Sequence, residues 1–320
     1  MLQIGNLKLE SRLILAPMAG ITDLPFRLLN RRFGCELAFI EMLNVRSLSY
    51  KSRKTQEMLS SVPEDRPLGI QILGKEPKFI LRALDILKPY KFDVLDFNAA
   101  CPVKKVVRRG EGASLLREPK RLGTLLKLIV KNSQQPVTVK IRSGWDDTSV
   151  NAREVALRAE DAGVKALFIH GRTKAQGYSA GVDYAAIRKV REALKIPVIG
   201  SGDILSIPLV KRMFDETGCQ AVAMARGALG NPWIFREAKQ FLEKQEIIQR
   251  PSREEIIKVM IAHLKSYVDF HGERVGIIKF RKFFGWYVKG FRKIRPLRER
   301  SSRVKKAQEM IEIIRLTSAS

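Results

Sequence analysis

The sequence predicts an α/β fold, a (β/α)8 TIM barrel followed by a small C-terminal helical bundle. Eight short apolar runs recur between residues 13 and 224, and segments of helical period separate most of them. Strand–helix units repeating about every 25 to 30 residues suit a closed parallel sheet, which buries near-continuous apolar strands on both faces. An open doubly wound sheet is the rival. Eight repeats, with no GxGxxG after the first strand, favour the barrel.

In chain order, strands are expected at 13–16, 37–40, 69–73, 94–97, 137–141, 166–169, 198–200 and 221–224. Helices are expected between them, at 77–87, 119–130, 151–162, 183–194 and 207–214. The longest interval separates the fourth strand from the fifth, and extra length is expected where a loop carries function. Past Trp233 a helix to about Glu243 closes the barrel. The stretch 249–252 reads as a linker, dividing the chain into 1–248 and 249–320. Ser252 and Glu255 have capping-box spacing, and Ile256, Met260, Leu264 and Val268 continue as one helical stripe. Further helical segments are expected near 275–290 and 301–316.

Charge points to the partner. The chain carries 59 basic and 33 acidic residues, net +26, with a pI of about 10.2. Such an excess suits nucleic acid better than an anionic membrane, since no basic amphipathic anchor stands out. No run has the length of a membrane span and no secretory signal opens the chain, so a soluble cytoplasmic protein, and a monomer, are expected. Cys35, Cys101 and Cys219 are widely spaced and odd in number, and with only His170, His263 and His271 available no ligand cluster can be assembled from local spacing, which argues against disulfides and metal. Residues 251–320 hold 17 basic and 7 acidic side chains, net +10. There Lys279, Arg281, Lys282, Arg292 and Lys293 interleave with Phe280, Phe283, Phe284, Trp286, Tyr287 and Phe291. The cations suit phosphate. The aromatics suit either a bundle core or stacking on unpaired bases, with core the more ordinary use.

The chemistry is concentrated in residues 94–114. An apolar strand breaks at Asn98 into a loop holding Cys101, then Lys104, Lys105, Arg108 and Arg109, then a flexible turn, Gly110-Glu111-Gly112. The loop is suited to holding a polyanion over a thiol; a structural cysteine beside a solvated basic face is the alternative. Barrel enzymes place working groups just past the C-terminal ends of their strands. Those positions hold Pro17-Met18-Ala19, Glu41, Gln71, Asn98 with Cys101, Lys140 with Arg142, His170 with Arg172, Ser201-Gly202-Asp203 and Arg226. The last two loops, with Gly202 and Ala225-Arg226-Gly227, suit a phosphate, because small residues let backbone N–H groups approach its oxygens.

With these residues in place, the chain resembles the tRNA-dihydrouridine synthases over nearly its whole length, most closely the bacterial B-type branch. The resemblance rests on APMAGITD at 16–23, IQILG at 70–74, NAACPVKK at 98–105, KIRSGW at 140–145, IHGRT at 169–173, GDI at 202–204 and RGALGNPW at 226–233. It implies an FMN enzyme that reduces the C5=C6 bond of particular uridines in the tRNA D-loop, with NADPH or NADH as reductant. It implies that Pro17, Met18, Ala19, Gln71, Lys140, Ser201, Gly202, Asp203, Ala225 and Arg226 hold the flavin, with His170 beside it. Cys101 would be the proton donor, Asn98 and Arg142 would contact the target uracil, and Lys104 and Lys105 would point at RNA phosphate rather than at the sulfur. Ser201, Ala225 and the Ala99-Ala100 pair depart from the family pattern, and a positive φ at Ala225 would be strained.

Overall fold

The computed structural model describes residues 1–50 and 52–319. Eight parallel strands form a closed sheet: β1 (Leu13–Leu15), β2 (Leu37–Phe39), β3 (Leu68–Leu73), β4 (Val94–Ala99), β5 (Val137–Gly144), β6 (Ala166–Thr173), β7 (Val198–Ser201) and β8 (Ala221–Met224). Each pairs with the next, and β8 returns to β1 with Val222 opposite Leu13, so the barrel has no free edge. Strands start where expected to within one residue, while β4, β5 and β6 run two to four residues further than expected. The helices between them include Leu24–Arg32, Pro77–Leu87, Pro119–Asn132, Ala152–Asp161, Tyr184–Ala193 and Ile207–Thr217, and Ile234–Lys244 follows β8.

Alternation along the strands turns every second side chain into the barrel, and height along the strands sorts these into two halves. Ile14, Leu37, Phe39, Val94, Ala166, Phe168, Ile199 and Ala221 fill the lower half. Leu2, Ile4 and Leu9 join the same cluster, so an N-terminal hairpin of Leu2–Ile4 against Leu7–Leu9 plugs that end. Three-residue strands carry no readable period, and the hairpin is absent from the sequence expectation. Gly69 makes room for the plug's neighbour, since a Cβ there would lie 2.3 Å from the Phe39 ring. One step further along the same faces come Gln71, Asp96, Asn98, Thr138, Lys140, His170 and Ser201. The inner wall therefore turns polar toward the C-terminal mouth.

Among the described residues, the tail forms four α-helices, Arg253–His271, Glu273–Tyr287, Arg295–Arg303 and Ala307–Leu316, and a 3-10 turn at Thr317–Ala319. The single segment expected at 301–316 is broken at Val304, whose backbone is extended, whose side chain is buried, and whose carbonyl accepts from Arg281. Phe280, Phe283, Phe284 and Tyr287 are buried, which assigns them to the core. Some of that core is shared with the barrel. Phe26 packs on Phe283 with ring centroids 5.6 Å apart, and Trp233 meets Tyr287 edge-on.

Candidate active site

A pocket of about 470 Å³ opens at the C-terminal mouth of the barrel. Every residue that the resemblance assigns to the site lines it except Lys104 and Lys105, while Glu41 and Arg172, also expected at the strand ends, do not. Lys104 and Lys105 lie exposed on a short helix, Lys104–Val107, just beyond the rim.

At the floor, Lys140 Nζ donates to Ser201 Oγ at 2.9 Å, and that hydroxyl donates to the Ile169 carbonyl at 2.9 Å. Burial pushes the Lys140 ammonium below its ordinary range, while the neighbouring Asp96 charge pulls it back up. His170 sits beside them among cations. Burial, reinforced by Lys140, Arg142, Arg172 and Arg226, drives its pKa far down, so the imidazole is neutral in the working pH range.

The Cys101 wall is pinned from below. Asn98 Oδ1 accepts from the backbone N–H groups of Ala100 and Cys101 at 3.0 and 2.9 Å. Arg142 is almost fully buried and spends its fork on the carbonyls of Ala100, Thr173 and Gly177, tying this loop to the one after β6. The flexible turn expected at 110–112 is instead the ordered entry to a 3-10 helix, Gly112–Arg117, with Gly112 packed directly on Cys101. Burial raises the Cys101 thiol above its ordinary 9.0, so it is protonated at neutral pH. Arg142 opposes that rise; Lys104 and Lys105 are not among the groups acting on the sulfur.

On the opposite side, Asp203 is held between Arg172 and Arg226, which keep its carboxyl below the usual range. Ala225 has φ −123°; the positive φ values in this region are at Gly202, 124°, and Asp203, 46°. Two arginines on one carboxylate hold the Asp203 conformation. Among the described residues, the backbone N–H groups of Gly202, Asp203, Ala225 and Arg226, all of which line the pocket, donate to no backbone carbonyl. No group of three or more His, Cys, Asp or Glu among the described residues is placed to hold a metal ion.

The sequence profile described as Dihydrouridine synthase (Dus) matches residues 14–319. The chain is 38% identical over 291 residues to a probable tRNA-dihydrouridine synthase of Rickettsia bellii, covering 91% of this chain and 89% of that one. It is also 38% identical over 289 residues to tRNA-dihydrouridine synthase B of Pasteurella multocida, covering 90% and 87%. The chain belongs to the dihydrouridine synthase family.

As a member of that family it is an oxidoreductase. Solved structures agree on the barrel. Histamine dehydrogenase from Rhizobium sp. 4-9 superposes with a TM-score of 0.56 at 13% identity, covering 88% of this chain and 50% of its own. A 6-hydroxypseudooxynicotine amine oxidase from Pseudomonas geniculata does so at 0.61 and 14%, covering 76% and 49%. The chain thus spans about half the length of these two, and the likeness concerns fold alone. Among the described residues of this family member, no helix is long and apolar enough to cross a membrane.

Residue-by-residue reading missed two parts of the site. Tyr178 is 57% exposed at the mouth, its ring 4.7 Å from the Arg226 guanidinium and 6.0 Å from the His170 ring. It lies five residues past the end of β6, beyond the strand-end positions that the barrel rule singles out. Asp96 is buried below the pocket, and its signal was visible: a lone carboxylate inside the apolar run Val94 to Phe97 requires partners.

Proposed function

We propose that this family member binds FMN in the pocket and reduces the C5=C6 bond of uridines in the tRNA D-loop, with NADPH or NADH as reductant. The residues present fit FMN. The N–H groups of Gly202, Asp203, Ala225 and Arg226, with the Arg226 guanidinium, suit its phosphate. Pro17, Met18 and Ala19 offer a wall for a flat ring, with His170 beside it, while Gln71, Lys140 and Ser201 suit its polar edge. When bound, FMN supplies the two electrons and the hydrogen that C6 receives.

The chain's own residues supply the rest. Cys101 holds the proton for C5, and its raised pKa keeps that proton in place at neutral pH. Arg142 and Asn98 fix the loop and contact the target uracil, where a cation steadies charge developing on a carbonyl oxygen. Lys104 and Lys105, exposed at the rim, take tRNA phosphates, as does the basic tail. A base must leave its stack to reach this depth, which favours a loop over a duplex.

One observation carries the reading: the Cys101 thiol and the Gly202, Asp203, Ala225 and Arg226 backbone line a single pocket. The purified protein should be yellow, and tRNA from cells lacking it should lose dihydrouridine at defined D-loop positions. Dihydrouridine unchanged at every position sinks the reading.

A further inference from the structure

Beneath the Cys101 loop, side chains from β3, β4 and β5 form one hydrogen-bonded file. Gln71, Asp96 and Thr138 lie side by side in register across the three strands. Thr138 Oγ1 donates to Asp96 Oδ1 at 2.6 Å, and Gln71 Nε2 donates to Asp96 Oδ2 at 2.6 Å. Asn98 Nδ2 donates to Gln71 Oε1 at 2.8 Å, and Asn98 Oδ1 then accepts from Ala100 and Cys101. Asp96 is 1% exposed and does not line the pocket, so it touches neither cofactor nor base there.

A carboxamide has a donor end and an acceptor end, and each can be turned over. The two ends of this file cannot. A carboxylate only accepts, which turns the Gln71 amide nitrogen toward Asp96 and its oxygen toward Asn98. Backbone N–H groups only donate, which turns the Asn98 oxygen toward the loop. Both ends demand the same sense, and turning either amide over would oppose like groups at two buried contacts.

We infer that Asp96 is a positioning residue that sets the sense of the Gln71 and Asn98 amides and so holds Cys101 at the pocket wall. Burial pushes the Asp96 carboxyl up, while the bonds from Thr138 and Gln71 and the Lys140 charge act against that rise. The inference rests on the proposed role of Cys101 for its catalytic meaning, but its structural content can be read without substrate.

The test exchanges groups along the file. Gln71→Glu sets two carboxylates against each other and should release the loop. Adding Asp96→Asn gives the introduced carboxylate a donor again, while its other oxygen still accepts from Asn98, so the double variant restores one sense throughout. The first readout is the rate of Cys101 alkylation by iodoacetamide, followed on the Cys101 peptide, because Cys35 and Cys219 are buried. That rate should rise about tenfold in Gln71→Glu, the scale of one lost charged hydrogen bond, and return to within about threefold of the original in the double variant.

Should Gln71→Glu not fold, Asn98→Asp serves instead. Its carboxylate still accepts from the loop, and Asp96→Asn again restores a consistent sense through a turned Gln71. An alkylation rate unchanged in the single variants, or a double variant no closer to the original than its parent, overturns the inference. If alkylation follows the file while Cys101→Ala keeps full turnover, the positioning stands and the proton-donor reading falls.

Discussion

The Tyr267 hydroxyl donates to Asp23 Oδ1 at 2.7 Å, joining the first tail helix to the loop that leaves β1. The same carboxylate caps the Leu24–Arg32 helix through the Phe26 N–H and accepts from His271 Nε2 at 2.9 Å. Lys282 donates to the Gly20 carbonyl nearby. The segment that puts Pro17, Met18 and Ala19 into the pocket is therefore held partly by the tail. Tyr267→Phe should lower stability by about 1–2 kcal/mol, since a buried carboxylate loses a donor. A urea melt at pH 7 checks this, and an unmoved midpoint would show that the contact contributes nothing.

Residues 1–248 alone should not persist as a soluble barrel. Phe26 and Trp233 are almost fully buried, with Phe283 and Tyr287 of the tail against them. Uncovering each large side chain costs about 1.5–3 kcal/mol, a large part of a typical domain's ~5–15 kcal/mol. Expression of the truncated chain followed by sedimentation decides it. A monodisperse, cooperatively melting product would mean that the contact with the tail is dispensable for folding.

Cys101→Ala should lower uridine reduction by about 10²–10⁴-fold, the usual contribution of a positioned acid, and leave bound flavin at its original level. The comparison is single-turnover reduction of tRNA against flavin content by absorbance. Full turnover in the variant removes Cys101 from the acid role.

The pH profile carries a sign from each shifted group. In its proposed role Cys101 is an acid only while protonated, and burial pushes its thiol up from the ordinary 9.0. On account of Cys101 alone, activity should therefore hold at neutral pH and fall as pH rises through the elevated thiol pKa, whereas Lys140, lowered to about 8, loses its charge earlier. His170 is neutral well below its ordinary 6.5, because burial and four cations disfavour its charged form. No inflection should appear between pH 5 and 8 on its account. A limb near 6.5 that vanishes in His170→Asn would show that the imidazole titrates after all.

How far the site was legible depended on whether a residue's role lies along the chain or across it. The barrel strands announced themselves as apolar runs, and the residues at their ends could be placed at one mouth without coordinates. Strand register could not. That Asp96 lies between Gln71 and Thr138 follows from pairing across three strands, which no local period encodes. The Leu2–Ile4 hairpin was too short to show alternation, and the Val304 carbonyl at the break meets its donor on Arg281, 23 residues away. Gly112 looked like flexibility because a glycine's near neighbour is invisible in sequence.

That neighbour is the Cys101 backbone. Gly112 has φ 60°, and a Cβ there would sit 2.8 Å from the Cys101 carbonyl oxygen, 2.9 Å from Val106 Cγ1 and 3.1 Å from the Cys101 Cβ. Two of those atoms belong to the residue that must stay at the pocket wall, so relief of the clash moves it. Gly112→Ala should destabilise by about 1–3 kcal/mol from strain and overpacking. It should also cut turnover more than it weakens tRNA binding, because Lys104, Lys105 and the basic tail are untouched. Filter binding and single-turnover reduction on the same preparation separate the two. Equal losses in both would mean that the turn supports the RNA surface rather than the thiol.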